Sequence, residues 1–68
     1  MKISARNQLQ GTITRINRGE AIANVELDVA GQRVVASITV EAVEDLGLAE
    51  GDSVTALIKA SDVILASG

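Results

Sequence analysis

Apolar and polar residues alternate most regularly between Ala21 and Val29, where Ala23, Val25, Leu27 and Val29 fall on one face and Asn24, Glu26 and Asp28 on the other. A side-chain period of two marks a half-buried β-strand. Ala30-Gly31-Gln32 is a short connection around a glycine, so Arg33–Val40 is expected to fold back as the antiparallel partner. Val34, Ala36 and Ile38 then share one face and Val35 takes the other, which predicts a strand covered on both sides. Upstream, Gln10–Ile16 is β-prone but imperfectly alternating, with Ile13 and Ile16 among Thr12, Thr14 and Arg15, and Asn17-Arg18-Gly19 reads as a turn.

The period changes at Thr39. From Thr39 to Leu46, Val40, Val43 and Leu46 recur at a spacing of three, Glu41, Glu44 and Asp45 lie outside, and Gly47 suits the left-handed position past a helix end. Leu48–Asp52 reads as a tight turn. Ser53–Ala60 returns to a strand pattern with Val54, Ala56 and Ile58 on one face, and Val63–Leu65 reads as a last short strand. Five short strands with a small helix between the third and fourth predict an all-β, OB-type Greek-key barrel as one domain over residues 1–68. Another small barrel, such as an SH3-like one, fits the same pattern.

Composition narrows the function. The 68 residues are 47% hydrophobic and 22% charged, with no Cys, His, Pro, Trp, Tyr or Phe. Without Cys or His there is no thiolate nucleophile, no imidazole base and no usual zinc, copper or iron ligand set, so an enzyme is not expected. Binders of single-stranded nucleic acid stack bases on aromatic side chains in a basic groove. This chain has no aromatic residue and a formal net charge of -3, which argues against nucleic acid as a partner. No apolar run is long enough to span a membrane, and Met1-Lys2-Ile3-Ser4 leads into polar residues instead of a signal core, so the cytoplasm is the expected location. An aliphatic core this small, with no disulfide to support it, points to a homo-oligomer.

The basic residues are concentrated. Ser4, Arg6 and Asn7 form a donor-rich run with Lys2 nearby, and no carboxylate occurs in the first nineteen positions. Lys59 and Ser61 form a second donor pair where the fourth strand ends, just ahead of Asp62. Brought together, the two runs would surround a small anion with donors and positive charge. The same residues also suit ordinary solvated strand ends and turn caps. Arg15, Arg18 and Arg33 read as exposed strand-end or hairpin charges, and Glu41, Glu44, Asp45, Glu50 and Asp52 as a solvated helix face and turn.

Taken with their spacing, Ser4-Ala5-Arg6-Asn7-Gln8-Leu9-Gln10-Gly11, Val35-Ala36-Ser37-Ile38-Thr39, Leu46-Gly47-Leu48 with Gly51, and Thr55-Ala56-Leu57-Ile58-Lys59-Ala60-Ser61 resemble the Mop family of molybdate-binding proteins, the molbindins. The resemblance runs along essentially the whole chain and is closest to the stand-alone form of the module. It implies an OB-type fold assembled as a homohexamer, a trimer of dimers, that binds molybdate or tungstate between subunits for intracellular molybdenum storage, with no organic cofactor and no bare metal cation. By the same resemblance, Ser4, Ala5, Arg6 and Asn7 form one oxyanion-binding segment and Lys59, Ala60 and Ser61 a second. Ala60 contributes its backbone N–H, Arg6 acts partly through its backbone, and Thr39 is supplied by a neighbouring chain. Some relatives carry Ser where this chain has Ala42. A second class of site, near a threefold axis, is implied around Arg18 to Ile22. The competing reading is a non-catalytic oligomeric interaction or regulatory module with no specific anion ligand.

Overall fold

The computed structural model describes residues 2–68. Its strands are β1 (Asn7–Arg18), β2 (Ile22–Val29), β3 (Gln32–Thr39) and β4 (Ser53–Ile58), with one helix, α1 (Val40–Leu46), between β3 and β4 and a 3-10 turn at Ala60–Asp62. All pairings are antiparallel, and the sheet order is β3-β2-β1-β4.

β2 is the hub, and the reason is its regular alternation. Ala23, Val25 and Leu27 are buried and form the core with Ile13 of β1 and Val43 of α1, each at most 4% exposed. On β3, Val34 and Ile38 are half-buried against the core and Ala36 is half-buried beside them, as expected, whereas Val35, expected to be covered on the other face, is 45% exposed. The β2–β3 turn has positive φ at both Ala30 (50°) and Gly31 (85°), as expected of a two-residue turn matched to the strands' twist.

β1 runs from Asn7 to Arg18, longer than the expected Gln10–Ile16, and the chain reverses over residues 19–21 instead of 17–19. A β-bulge accounts for its broken alternation. Ile13 pairs with Leu27 and Arg15 with Glu26, which leaves Thr14 as the extra residue; its hydroxyl donates to the Glu26 carbonyl at 3.2 Å. Without the extra residue Ile16 would face outward; with it, Ile16 sits opposite Val25 and packs on the core. Gly11 lies where β1 passes close to β2: a Cβ there would stand 2.8 Å from Val29 Cγ2 and 2.9 Å from the Asp28 carbonyl oxygen.

Thr39 caps α1, its hydroxyl oxygen accepting from the Ala42 N–H at 3.0 Å. Gly47 ends the helix at φ 63°, where its N–H donates to the Glu44 carbonyl and that of Leu48 to the Val43 carbonyl. The loop that follows is tied to β1 by Gly51 N–H donating to the Ile13 carbonyl and Ile13 N–H to that of Asp52.

Two expectations are corrected. Val63–Leu65 forms no strand: after the 3-10 turn it joins no ladder, so among the described residues the sheet has four strands and is left open between β3 and β4. Leu46, expected inward with Val40 and Val43, is 69% exposed because it stands at the rim of that opening.

Candidate functional site

The pairing of β1 with β4 decides where the two donor-rich runs lie. Asn7 is opposite Ile58, Gln8 opposite Leu57 and Leu9 opposite Ala56. Where this ladder ends, Ser4–Arg6 leads into β1 beside the point at which Lys59–Ser61 leaves β4. Asn7 locks the junction through its side chain, Nδ2 donating to the Ile58 carbonyl at 3.1 Å. Gln8 Nε2 donates to the Ala5 carbonyl at 3.4 Å, holding the approach to the strand.

Ser4, Arg6, Lys59, Ala60 and Ser61 are exposed and Ala5 and Asn7 half-buried. The 3-10 turn engages the carbonyls of Lys59 and Ala60, which accept from the N–H groups of Asp62 (2.9 Å) and Val63 (3.3 Å). The N–H groups of Ala60 and Ser61 precede the first bond of that turn, so the turn itself leaves them for other acceptors. This end of the sheet therefore gathers hydroxyl, guanidinium, ammonium and amide donors, and within the two segments there is no carboxylate. Such a set suits an anion whose oxygens all accept hydrogen bonds.

Thr39 lies elsewhere. It closes β3, on the opposite edge of the sheet from β4, and pairs with Ile22, which follows the turn after Arg18 at the far end of β1. Its neighbours form a groove of about 490 Å³ lined by Glu20, Ala21, Glu41, Glu44 and Asp45. The hydroxyl oxygen already accepts from Ala42, which leaves the Thr39 proton free to donate. A single chain thus joins Ser4–Asn7 to Lys59–Ser61 and leaves Thr39 among carboxylates. Glu41, Glu44 and Asp45, expected as a solvated helix face, are exposed, and the Ile22–Thr39 pairing adds Glu20 and Thr39 to the same groove.

Arg15 and Arg33 belong to the outer face of the sheet. Arg33 Nε donates to Glu26 Oε1 at 2.6 Å, while Arg15 Nε stands 4.0 Å from Oε2. The hydrogen bond from Arg33 is the main cause that holds the Glu26 carboxyl below the usual glutamate range, against a desolvation that raises it, and the charges of Arg33 and Arg15 add to the lowering.

A four-stranded antiparallel sheet with one short helix between its third and fourth strands is the framework on which these segments are carried, and the chain belongs to the TOBE domain family, whose model matches residues 3–65. Its relatives narrow the comparison. The chain is 44% identical over 66 residues to molybdenum-pterin-binding protein 3 of Clostridium pasteurianum, covering 96% of this chain and 97% of that one. It superposes on a molybdate-binding protein from Sporomusa ovata with a TM-score of 0.95 at 43% identity, over 98% of this chain and all of the other. It is also similar to the cytoplasmic molybdate-binding protein ModG in a form with molybdate bound, with a TM-score of 0.89 and 45% identity over 94% of this chain and 46% of the other.

Proposed function

We propose that this chain binds molybdate, and tungstate by the same chemistry, between copies of itself and holds it as an intracellular, cytoplasmic store, with residues 1–68 acting as one module. The observation that carries the reading is the Asn7–Ile58 junction, which puts the donor runs Ser4–Asn7 and Lys59–Ser61 at one end of the sheet. The names of relatives matching nearly end to end support the choice of anion.

Molybdate is a tetrahedral dianion with four acceptor oxygens and no proton to donate. Hydroxyls from Ser4 and Ser61, the Arg6 and Lys59 cations and the amides of Ala5, Ala60 and Ser61 satisfy it, and Asn7 holds the two segments in register. A protonated phosphate sets its own O–H against this ring of donors, a mismatch worth about 1–3 kcal/mol. Sulfate carries no such proton, so its exclusion rests on size: hydrogen bonds spaced for longer metal–oxygen bonds are stretched around it.

Thr39 supplies a further hydroxyl from a second copy, because in its own chain it stands at the other edge of the sheet. A site shared between copies links occupancy to assembly, since an anion that bridges two chains stabilises the oligomer over its subunits. A homohexamer built as a trimer of dimers is the assembly proposed. The role is reversible binding without catalysis. Titration of anion-stripped protein with molybdate, for the parent chain and Lys59→Glu, tests it: saturable binding lost in the variant with its fold intact is expected, and equal affinity in both overturns the assignment.

A further inference from the structure

Sulfate is the anion hardest to keep out of a site made only of donors, because it presents four acceptor oxygens as molybdate does and differs from it in size. A size filter works only where the donors stay in place. Donors free to move inward close the stretched hydrogen bonds around the smaller ion, and the discrimination is lost. What holds each donor run therefore sets the selectivity.

The two runs are held differently. Lys59–Ser61 passes from the end of β4 straight into the 3-10 turn, where the Lys59 carbonyl accepts from Asp62 N–H at 2.9 Å and the Ala60 carbonyl from Val63 N–H at 3.3 Å. Ser4–Arg6 precedes β1, so the β1–β4 ladder, which begins at Asn7 and Ile58, does not include it. The Asn7 side chain locks the strand and not the segment ahead of it. Among the described residues, one hydrogen bond outside the ladder reaches residues 4–6: Gln8 Nε2 donates to the Ala5 carbonyl at 3.4 Å.

That contact governs more than a carbonyl. The peptide joining Ala5 to Arg6 is planar and trans, with its C=O and N–H pointing in opposite directions, so a carbonyl drawn toward Gln8 turns the Arg6 N–H away from it. Gln8 thereby sets the direction of one amide donor and restrains the backbone that carries the Ser4 hydroxyl and the Arg6 guanidinium. Gln8 itself is exposed and takes no part in the core, so the fold does not depend on it.

We infer that Gln8 is a positioning residue that sets the choice between molybdate and sulfate, acting through the Ala5–Arg6 peptide. This role rests on the proposed anion site: Gln8 acts on the donors and not on the anion. With the tether in place, Ser4–Arg6 is spaced for the larger ion before that ion arrives. Without it, the segment loses this preorganisation for molybdate and gains the freedom to close on sulfate.

Gln8→Met keeps the length and unbranched shape of the side chain and removes its N–H donors. Parent and variant, stripped of anions, are titrated calorimetrically with molybdate, alone and in competition with sulfate. A molybdate-to-sulfate affinity ratio about fivefold lower in the variant, the equivalent of one ordinary hydrogen bond, is expected, with an unchanged urea midpoint. An unchanged ratio overturns the inference, including when both affinities fall together, as they do when a substitution merely loosens the fold. Backbone amide relaxation by NMR, on the same two proteins without anion, reads the tether alone. The order parameters of Ala5 and Arg6 are expected to fall in Gln8→Met while that of Leu9 stays, and unchanged values overturn the inference. A parent chain that binds no molybdate removes the anion reading and the selectivity with it, whereas molybdate binding with an unmoved ratio removes the role of Gln8 alone.

Discussion

The Asn7 side chain donates to the Ile58 carbonyl at 3.1 Å, across a separation of fifty-one residues, and so fixes the start of β1 against the end of β4. Asn7→Ala removes that donor at a part-buried position and is expected to cost about 1 kcal/mol of stability. Molybdate affinity falls further than stability does, because both donor segments hang from this junction. Urea unfolding and calorimetric titration of the same preparation separate the two effects.

Gly11→Ala is a packing prediction. The added methyl meets Val29 Cγ2 at 2.8 Å and the Asp28 backbone at 2.9 Å, and the backbone oxygen has little freedom to retreat. An overpacking cost of about 1–3 kcal/mol is expected, read as a lower urea midpoint with an unchanged slope.

Ala30 offers the opposite sign. It holds φ 50° in the β2–β3 turn, a region that strains residues bearing a Cβ. Ala30→Gly relieves that strain, and Ala30→Asn fits the preference of the first position in such a turn. Either is expected to raise the melting temperature, with a gain of about 0.5–1 kcal/mol. Thermal unfolding followed by circular dichroism checks it.

Glu26 gives the sheet a pH dependence. Its folded pKa is depressed, chiefly by the hydrogen bond from Arg33, so its contribution is fully present above the ordinary glutamate value of about 4.3 and is lost as pH falls through the lower folded value. Unfolding midpoints taken from pH 7 down to pH ~3 are expected to fall more steeply for the parent chain than for Glu26→Gln, which has no proton to gain at that position.

The strands were legible where one face alone is buried. Ala23, Val25 and Leu27 announce β2, and the Val40–Val43 spacing with Gly47 announces α1, because periodicity and burial coincide there. β1 was read short since Asn7, Gln8 and Gln10 carry no apolar signal, and since the bulge at Thr14 shows in a sequence only as a lapse in alternation. Val63–Leu65 has the local character of a strand, yet among the described residues no strand pairs with it, and local pattern does not register whether a partner strand is within reach. The donor runs could be named from residue type. Their meeting depends on the register of β1 against β4, and the carboxylates around Thr39 on that of β2 against β3. Both are long-range facts.

The most direct test of the central claim is calorimetric titration of purified, anion-stripped protein with molybdate, with sulfate and phosphate as controls and the assembly mass recorded alongside. Saturable, molybdate-selective binding to an oligomer, abolished by Lys59→Glu without loss of fold, is the expected result. A well-folded oligomer that takes up no molybdate, or that binds sulfate equally well, contradicts it.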